Sequence, residues 1–135
     1  MAFTSVQKIR FDDVDGAGIV YYPQFFHLCH AAFEDFFDSA APVSYPQLVR
    51  ERRMGFPTVA IESSFSAPLV YGDVAVVELT VERMVTFGYV IRRKRDGAVC
   101  FRARVTTVLV SIDTMKPVPL SDEHRSLFGR LLPKK

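Results

Sequence analysis

The residues with the clearest chemical potential lie in segment 11–26, FDDVDGAGIVYYPQFF. Asp12, Asp13 and Asp15 fall close together, and Asp15 is followed by Gly16-Ala17-Gly18. Glycines permit tight turns and let a ligand approach the main chain closely. A carboxylate at such a turn can attack an electrophile or activate water. The pattern singles out Asp15, whereas Asp12 and Asp13 at a strand end are expected to be solvated or structural.

A helix is predicted to begin near Pro23, because proline fits the first turn of a helix. The first N–H groups of a helix lack intrahelical partners and together carry about half a positive elementary charge. Near this end, Asp15 either complements the dipole and closes a turn, or it faces an electrophile whose oxygen the helix holds. The second arrangement suits acyl transfer, since aimed donors stabilise a developing oxyanion.

The predicted helix carries one apolar stripe that extends to Ala40, where Pro42 ends the pattern. The stripe consists of Phe25, Leu28, Cys29, Ala32, Phe33, Phe36, Phe37 and Ala40. Spacings that alternate between three and one are typical of an amphipathic helix. So wide an aromatic stripe must be buried against a large surface, and a sheet face is the natural partner.

The apolar period changes from 3.6 to 2 after the helix, which predicts a run of strands. Strands are predicted over 5–11, 58–65, 74–85, 87–95 and 98–112, and short helices over 45–53 and 121–132. Asp96-Gly97 predicts a two-residue hairpin turn. The sequence therefore indicates an α+β domain in which an antiparallel five-stranded sheet wraps around one long helix. Val108 and Val110, assigned to the sheet's outer side, suggest a second copy of the chain.

Composition narrows the class of protein. With 135 residues, of which 49% are hydrophobic, a single domain over 1–135 is expected. No apolar run is long enough to span a membrane. The N-terminus lacks a secretion signal, and Cys29 and Cys100 form no disulfide framework, so a cytoplasmic protein is expected. A net charge of +2 is too small to indicate a nucleic-acid partner.

A second group of polar residues lies on the predicted helix. His27, His30 and Glu34 are spaced so that they can share one face. A metal site there would need further ligands, and the sequence holds no second cluster to supply them, so no metal is expected. Glu34 remains an alternative catalytic carboxylate to Asp15.

The motif D-x-D-G-A-G-I-V-Y-Y-P-Q-F, followed by an aromatic helix, resembles the hotdog-fold acyl-CoA thioesterases of the 4-hydroxybenzoyl-CoA thioesterase family. The resemblance is close over residues 8–40 and looser over 55–82, where GFPTVAIESSFSAPLVYGD is similar to the family's second strand and turn. DGAGIVYYPQFFHLCHAAFE is similar in particular to the branch that acts on 1,4-dihydroxy-2-naphthoyl-CoA.

The resemblance implies roles for the matching positions. Asp15 becomes the nucleophile or the general base, and the backbone N–H of Tyr22 faces the thioester carbonyl. The implied substrate-binding residues are Gly18, Ile19, Val20, Tyr21 and Pro23. No metal or separate cofactor is implied, because coenzyme A is part of the substrate. The family also implies a homo-oligomer, a dimer or a homotetramer, with sites at dimer interfaces.

An aromatic residue at Tyr22 is similar to the family members that act on aromatic acyl groups, so an aromatic acyl-CoA is the expected substrate. The alternatives are a short aliphatic acyl-CoA, an acyl carrier protein substrate, or an acyl-CoA-binding module without activity. The basic run Arg92, Arg93, Lys94 and Arg95 is predicted to contact the phosphates of coenzyme A. Its alternatives are a solvated hairpin end and a nucleic-acid contact.

Overall fold

The computed structural model describes residues 2–133 and places an antiparallel sheet of five strands against one long helix. The strands are β1 (Phe3–Lys8), β3 (Thr58–Phe65), β4 (Val74–Arg83), β5 (Thr86–Arg93) and β6 (Val99–Thr107), in the spatial order β1-β4-β5-β6-β3. A second, two-stranded sheet pairs β2 (Met54–Gly55) with β7 (Val110–Ser111). The helices are α1 (Gln24–Ala40), α2 (Tyr45–Arg50) and α3 (Asp122–Gly129). The α+β architecture predicted from the sequence is confirmed.

Helix α1 buries the apolar stripe that the sequence predicts. Its buried residues are Phe25, Leu28, Cys29, Ala32, Phe33, Phe36 and Phe37. The facing side of β4 contributes four side chains that are fully buried, Ala75, Val77, Leu79 and Val81. Alternate residues of a strand point to one face, so β4 supplies a continuous apolar row to the helix. This contact forms the core and fixes where the N-terminus of α1 lies on the sheet.

The hairpin between β5 and β6 differs from the predicted two-residue turn. The N–H of Arg93 donates to the carbonyl of Ala98, 2.9 Å away, so four residues lie between the last paired positions. Gly97 adopts φ +72°, a conformation that favours glycine. The carboxylate of Asp96 accepts hydrogen bonds from the Arg93 side chain and from the Ala98 N–H. These side-chain bonds stabilise the longer loop.

The predicted strand over 98–112 is shorter in the structure and ends at Thr107. Both the N–H and the hydroxyl of Thr107 donate to the carbonyl of Val85. The chain then turns away, and Val108 donates its N–H to the carbonyl of Pro57. Val110 lies in β7 and is buried. The assignment of Val108 and Val110 to the sheet's outer side was therefore wrong.

Smaller differences concern the ends of elements. The first strand ends at Lys8 rather than Phe11, and Phe11 begins a single 3₁₀ turn over Phe11–Asp13 with its ring exposed. Helix α3 ends at Gly129, with Leu131 in a further tight turn. Frayed ends of this kind commonly shift a boundary by one or two residues. No helix among residues 2–133 is long and apolar enough to cross a membrane.

Strand β3 is the exposed edge of the sheet. It pairs with β6 on one side only, and every one of its residues is exposed. Three of its exposed side chains are large and apolar, Val59, Ile61 and Phe65. An edge strand of this kind presents unpaired backbone groups that another strand can pair with.

Candidate active site

A tight hairpin holds Asp15 in place. Val14 and Val20 form an antiparallel bridge, and the N–H of Asp15 donates to the carbonyl of Ile19 at 2.9 Å. The N–H of Gly18 donates back to the carbonyl of Asp15 at 2.9 Å, and Gly18 adopts φ +78°. A residue in this left-handed conformation is typical of a three-residue hairpin loop and is best supplied by glycine. The glycine-rich sequence thus explains the turn.

The neighbouring aspartates have different surroundings. Asp13 is buried, and its carboxylate accepts a hydrogen bond from the N–H of Arg10 at 2.7 Å. Asp15 is exposed, and one of its oxygens accepts from the N–H of Ala17 at 2.9 Å. Its other oxygen has no hydrogen-bond partner in the part of the chain that the structure describes. Asp13 is therefore structural, whereas Asp15 both closes the turn and keeps one oxygen available.

The hairpin is anchored to the segment that precedes β4. The N–H of Val20 donates to the carbonyl of Leu69 at 2.8 Å, and the N–H of Tyr71 donates to the carbonyl of Gly18 at 3.0 Å. These bonds continue the sheet-like pairing beyond the hairpin. The position of Asp15 therefore depends on two segments that are distant in sequence.

The start of α1 leaves one backbone donor available. The N–H groups of Gln24, Phe25 and Phe26 donate to carbonyls in the preceding turn, and that of Tyr21 donates to Asp13. Pro23 has no N–H. Within residues 2–133, the N–H of Tyr22 donates to no acceptor. The donor that the sequence analysis assigned to the thioester oxygen is thus the one that the protein leaves unused.

An apolar cavity of about 300 Å³ opens beside this donor. Its lining residues are Ile19, Val20, Tyr22, Phe25, Phe65, Ser66, Ala67 and Pro68. They come from the hairpin, the start of α1 and the turn after β3. A cavity of this size and character is typical of small-molecule sites.

Aromatic rings form the floor of the cavity. The ring of Phe25 stacks on that of Phe101, with centroids 5.0 Å apart. The ring of Phe65 lies 5.5 Å from that of Phe25 and 6.5 Å from that of Tyr22, edge to face in both cases. Such pairs contribute packing energy beyond their buried area and hold the rings in fixed orientations. The floor can therefore offer a flat aromatic group both face and edge contacts.

The cavity includes some of the predicted residues and adds others. Ile19, Val20 and Tyr22 line it, whereas Asp15, Gly18, Tyr21 and Pro23 lie outside its wall. Sequence analysis missed Phe25, Phe65, Ser66, Ala67 and Pro68 as cavity residues. The similarity of segment 55–73 to a family strand and turn was the available signal, because it places a turn after β3.

The alternative carboxylate Glu34 lies elsewhere on α1. It accepts a hydrogen bond from Nδ1 of His30 at 2.9 Å and does not line the cavity. Among the described residues, no three His, Cys, Asp or Glu side chains converge on a point where a metal could bind. Asp15 is joined to the cavity wall, because its N–H donates to the carbonyl of the lining residue Ile19.

The thiols and Ser66 offer no alternative nucleophile. Burial raises the pKa of both Cys29 and Cys100, which keeps them as unreactive thiols. Ser66 lines the cavity, but no histidine in the described part of the chain is hydrogen-bonded to its hydroxyl. A serine nucleophile needs such a base.

The basic run at the end of β5 is largely engaged in ion pairs. Arg92 pairs with Glu78, Arg93 with Asp96, and Arg95 with Asp73. Lys94 has no ion pair among residues 2–133. The Arg93 side chain is only 13% exposed, which leaves it little room for a phosphate group. Contact with coenzyme A phosphates stays a prediction, and Lys94 and the more exposed Arg95 fit it best.

The chain is similar to known proteins in both sequence and fold. The sequence model of the thioesterase-like superfamily matches residues 9–128. The chain belongs to this superfamily. The match includes the Asp15 hairpin, the cavity and four of the five strands of the main sheet; β1 (Phe3–Lys8) precedes it. The resemblance to thioesterases noted from the sequence is confirmed.

The relatives of this chain include enzymes that are named as hydrolases of aromatic acyl-CoA thioesters. It is 29% identical over 122 residues to the 1,4-dihydroxy-2-naphthoyl-CoA hydrolase of Synechocystis, covering 87% of this chain and 88% of that protein. It is 33% identical over 82 residues to the 4-hydroxybenzoyl-CoA thioesterase of Pseudomonas, covering 60% of this chain and 58% of that one.

Solved structures of such enzymes share the fold. The crystal structure of a 1,4-dihydroxy-2-naphthoyl-CoA thioesterase from Synechocystis superposes with a TM-score of 0.84 at 27% identity, covering 97% of this chain and 98% of that one. An Asp-to-Asn variant of a 4-hydroxybenzoyl-CoA thioesterase in complex with 4-hydroxybenzoyl-CoA superposes with a TM-score of 0.80 at 26% identity, covering 93% and 97%. The fold is the hotdog fold, as the sequence analysis predicted.

Proposed function

We propose that this protein hydrolyses an aromatic acyl-CoA thioester to the free acid and coenzyme A. The observation that carries the proposal is the aromatic-floored cavity beside the unused N–H of Tyr22. An acyl group seated on Phe25 and Phe65 would bring its carbonyl oxygen towards the start of α1. The relatives named above act on thioesters of aromatic acids, which supports the same substrate class here.

The chemistry assigns one step to each group. Either the carboxylate of Asp15 attacks the thioester carbon directly, or it takes a proton from a water molecule that attacks. Negative charge then develops on the carbonyl oxygen, and the N–H of Tyr22 stabilises it. The C–S bond breaks, coenzyme A leaves as a thiolate that takes up a proton, and the acid is released. In the direct route, water cleaves the acyl–Asp15 anhydride afterwards.

A second copy of the chain completes the site in this proposal. Asp15 and the cavity are open to solvent, whereas catalysis of this kind gains from exclusion of water. The exposed edge strand β3 offers backbone groups and the apolar side chains of Val59, Ile61 and Phe65 to a partner. Because β3 leads directly into the cavity wall, pairing of two β3 strands would cover both sites. The proposed unit is a homodimer, which can assemble further into a tetramer.

A cytoplasmic location is part of the same proposal. Cys29 and Cys100 are unpaired thiols buried in the core. Proteins that keep buried thiols reduced are typical of reducing compartments, and acyl-CoA substrates are consistent with such a location.

The test is release of thiol from a panel of substrates. The panel contains benzoyl-CoA, 4-hydroxybenzoyl-CoA, 1,4-dihydroxy-2-naphthoyl-CoA, a short aliphatic acyl-CoA and a long one. We expect kcat/KM for one aromatic thioester to exceed that for the short aliphatic one by about tenfold or more, because the aromatic floor contacts only the larger group. Preference for an aliphatic thioester would refute the substrate class. Binding without release from any member would indicate an acyl-CoA-binding module or a carrier-protein substrate.

A further inference from the structure

One wall of the cavity is the turn Ser66–Pro68, and the side chain of Arg93, the last residue of β5, is hydrogen-bonded to this turn. Nη1 of Arg93 donates a hydrogen bond to the carbonyl oxygen of Pro68 at 2.7 Å. The Arg93 side chain is only 13% exposed, so it is confined between the turn and the β5–β6 loop. A hydrogen bond from a charged donor to a carbonyl is stronger than a neutral one.

Asp96 fixes the guanidinium of Arg93 in this orientation. Its two carboxylate oxygens lie 3.0 Å from Nε and 2.8 Å from Nη2 of Arg93. Asp96 also accepts from the N–H of Ala98 at 3.1 Å. The hydrogen bond from Arg93, together with that from Ala98, lowers the pKa of Asp96 from 3.8 to about 2, because both bonds favour the charged carboxylate. Because Nε and Nη2 of Arg93 are bonded to Asp96, Nη1 is directed at the carbonyl of Pro68.

The held turn is connected to the hairpin that carries Asp15. Its first residue, Ser66, donates its N–H to the carbonyl of Cys100 at 2.9 Å. Directly after the turn, the carbonyl of Leu69 accepts the N–H of Val20. A shift of Pro68 would therefore move a cavity wall and the strand that leads to the N–H of Tyr22.

We propose that Arg93 is a positioning residue for the acyl group: it sets the Ser66–Pro68 wall against which the acyl group packs. This role rests on the proposed function, because it presumes that the cavity holds an acyl group. For Arg93, this positioning role replaces the predicted contact with the phosphates of coenzyme A. Other arginines of the sheet form ion pairs without touching the cavity; Arg104, for example, pairs with Glu82 and Glu62.

The kinetic test compares Arg93→Gln, Arg93→Lys and the matched control Arg104→Gln, using the best aromatic thioester. Arg93→Gln should lower kcat/KM by about 10- to 100-fold, since small displacements of a bound reacting group are costly. The inhibition constant of free coenzyme A should stay within about twofold of the wild-type value, because the proposal has the wall contact the acyl group and not coenzyme A itself. The kcat/KM of Arg93→Lys should lie between those of Arg93→Gln and the wild type, since lysine keeps a charged donor but loses the planar fork. Arg104→Gln should match the wild type.

Weaker inhibition by free coenzyme A in Arg93→Gln would show that Arg93 binds phosphates and would overturn the proposal. Unchanged kcat/KM, or an equal loss in Arg104→Gln, would overturn it as well.

Hydrogen exchange separates this proposal from the proposed function. In the free protein, the amides of Ser66 and Val20 should exchange faster in Arg93→Gln than in wild type or Arg104→Gln, because their hydrogen bonds depend on the held turn. Equal exchange in all three proteins would overturn the positioning role whatever the activity. Failure of the wild type to hydrolyse any thioester would refute the proposed function, while the exchange data would still decide whether Arg93 holds the wall.

Discussion

At the scale of single residues, two aspartates two positions apart take different roles because their neighbours differ. Asp13 is buried and accepts a main-chain hydrogen bond, so its carboxylate stabilises the turn before the hairpin. Asp15 is exposed beside Gly16 and keeps one oxygen without a partner in the described part of the chain. A carboxylate needs an accessible oxygen to attack or to accept a proton; Asp13 is buried, whereas Asp15 is exposed.

The N–H of Tyr22 can be tested by replacing Tyr22 with its α-hydroxy analogue, which turns that amide into an ester and keeps the side chain. We expect kcat to fall by about 10²–10³-fold, the usual effect of losing one oxyanion donor. Ester replacement at Gln24 is the control, because it weakens the same turn through the bond from Gln24 N–H to the Tyr21 carbonyl. Equal kcat in the two esters would exclude Tyr22 as the donor.

The resemblance could suggest roles for Asp15 and Tyr22 because one short segment contains both residues, and these roles stay predictions. Arg93 could not be assigned in the same way. Four successive basic residues look alike in sequence. Arg95 pairs with Asp73, 22 positions away, and Arg92 pairs with Glu78, 14 positions away; only strand pairing brings these partners near. The same pairing directs Arg93 to Pro68, 25 positions away.

At the scale of elements, helix α3 closes the end of the core with a buried histidine. His124 is 5% exposed, and its ring lies against those of Phe37, Phe56 and Phe128. Desolvation lowers the pKa of His124 from 6.5; nearby Arg52 acts in the same direction and Glu123 opposes it. The folded protein thus favours the neutral imidazole.

Stability should therefore depend on pH through His124. Above about pH 6.5 the imidazole is neutral in both states; below it, the unfolded chain binds a proton that the folded protein resists. We expect the free energy of unfolding, measured by urea denaturation, to fall between pH 7.5 and 5.5. In His124→Gln this fall should be smaller, because glutamine does not titrate. Identical pH profiles would show that the histidine does not contribute.

The elements themselves were predictable where local pattern decides them. The apolar spacing of α1 is complete within its own sequence, and the helix lies where it was predicted. The break after Thr107 was not predictable, because Thr107 and Val108 donate to carbonyls that are distant in sequence, those of Val85 and Pro57. The alternating apolar pattern of 98–112 continues through this break, so the pattern gives no sign that the strand ends there.

At the scale of the whole molecule, one chain provides an open site. The cavity, Asp15 and the edge of β3 all face outward on the described chain, and large apolar side chains surround them. Exposed apolar surface of this extent is typical of an interface. The overall architecture was predictable from the order of the elements, but which surface is left uncovered became visible only in the folded chain.

Association through β3 should be detectable in solution. We expect sedimentation equilibrium to give a mass that is an even multiple of the 15.3 kDa chain. Ile61→Lys places a charge on the exposed edge strand and should produce monomers with reduced activity. Val6→Lys, which alters an exposed apolar residue on the opposite edge strand, is the control and should keep the assembly. A monomeric wild type at micromolar concentration would contradict the proposed dimer.

Turnover of the best aromatic thioester by Asp15→Asn shows whether Asp15 performs the chemistry. Asparagine keeps the oxygen that accepts the Ala17 N–H, so the hairpin and the melting temperature should be retained. We expect kcat to fall by about 10²–10⁴-fold, as is usual when a catalytic acid or base is lost. Asp12→Asn, at an exposed neighbour, should retain the wild-type rate. Wild-type turnover by a folded Asp15→Asn protein would contradict the central claim that Asp15 performs the chemistry.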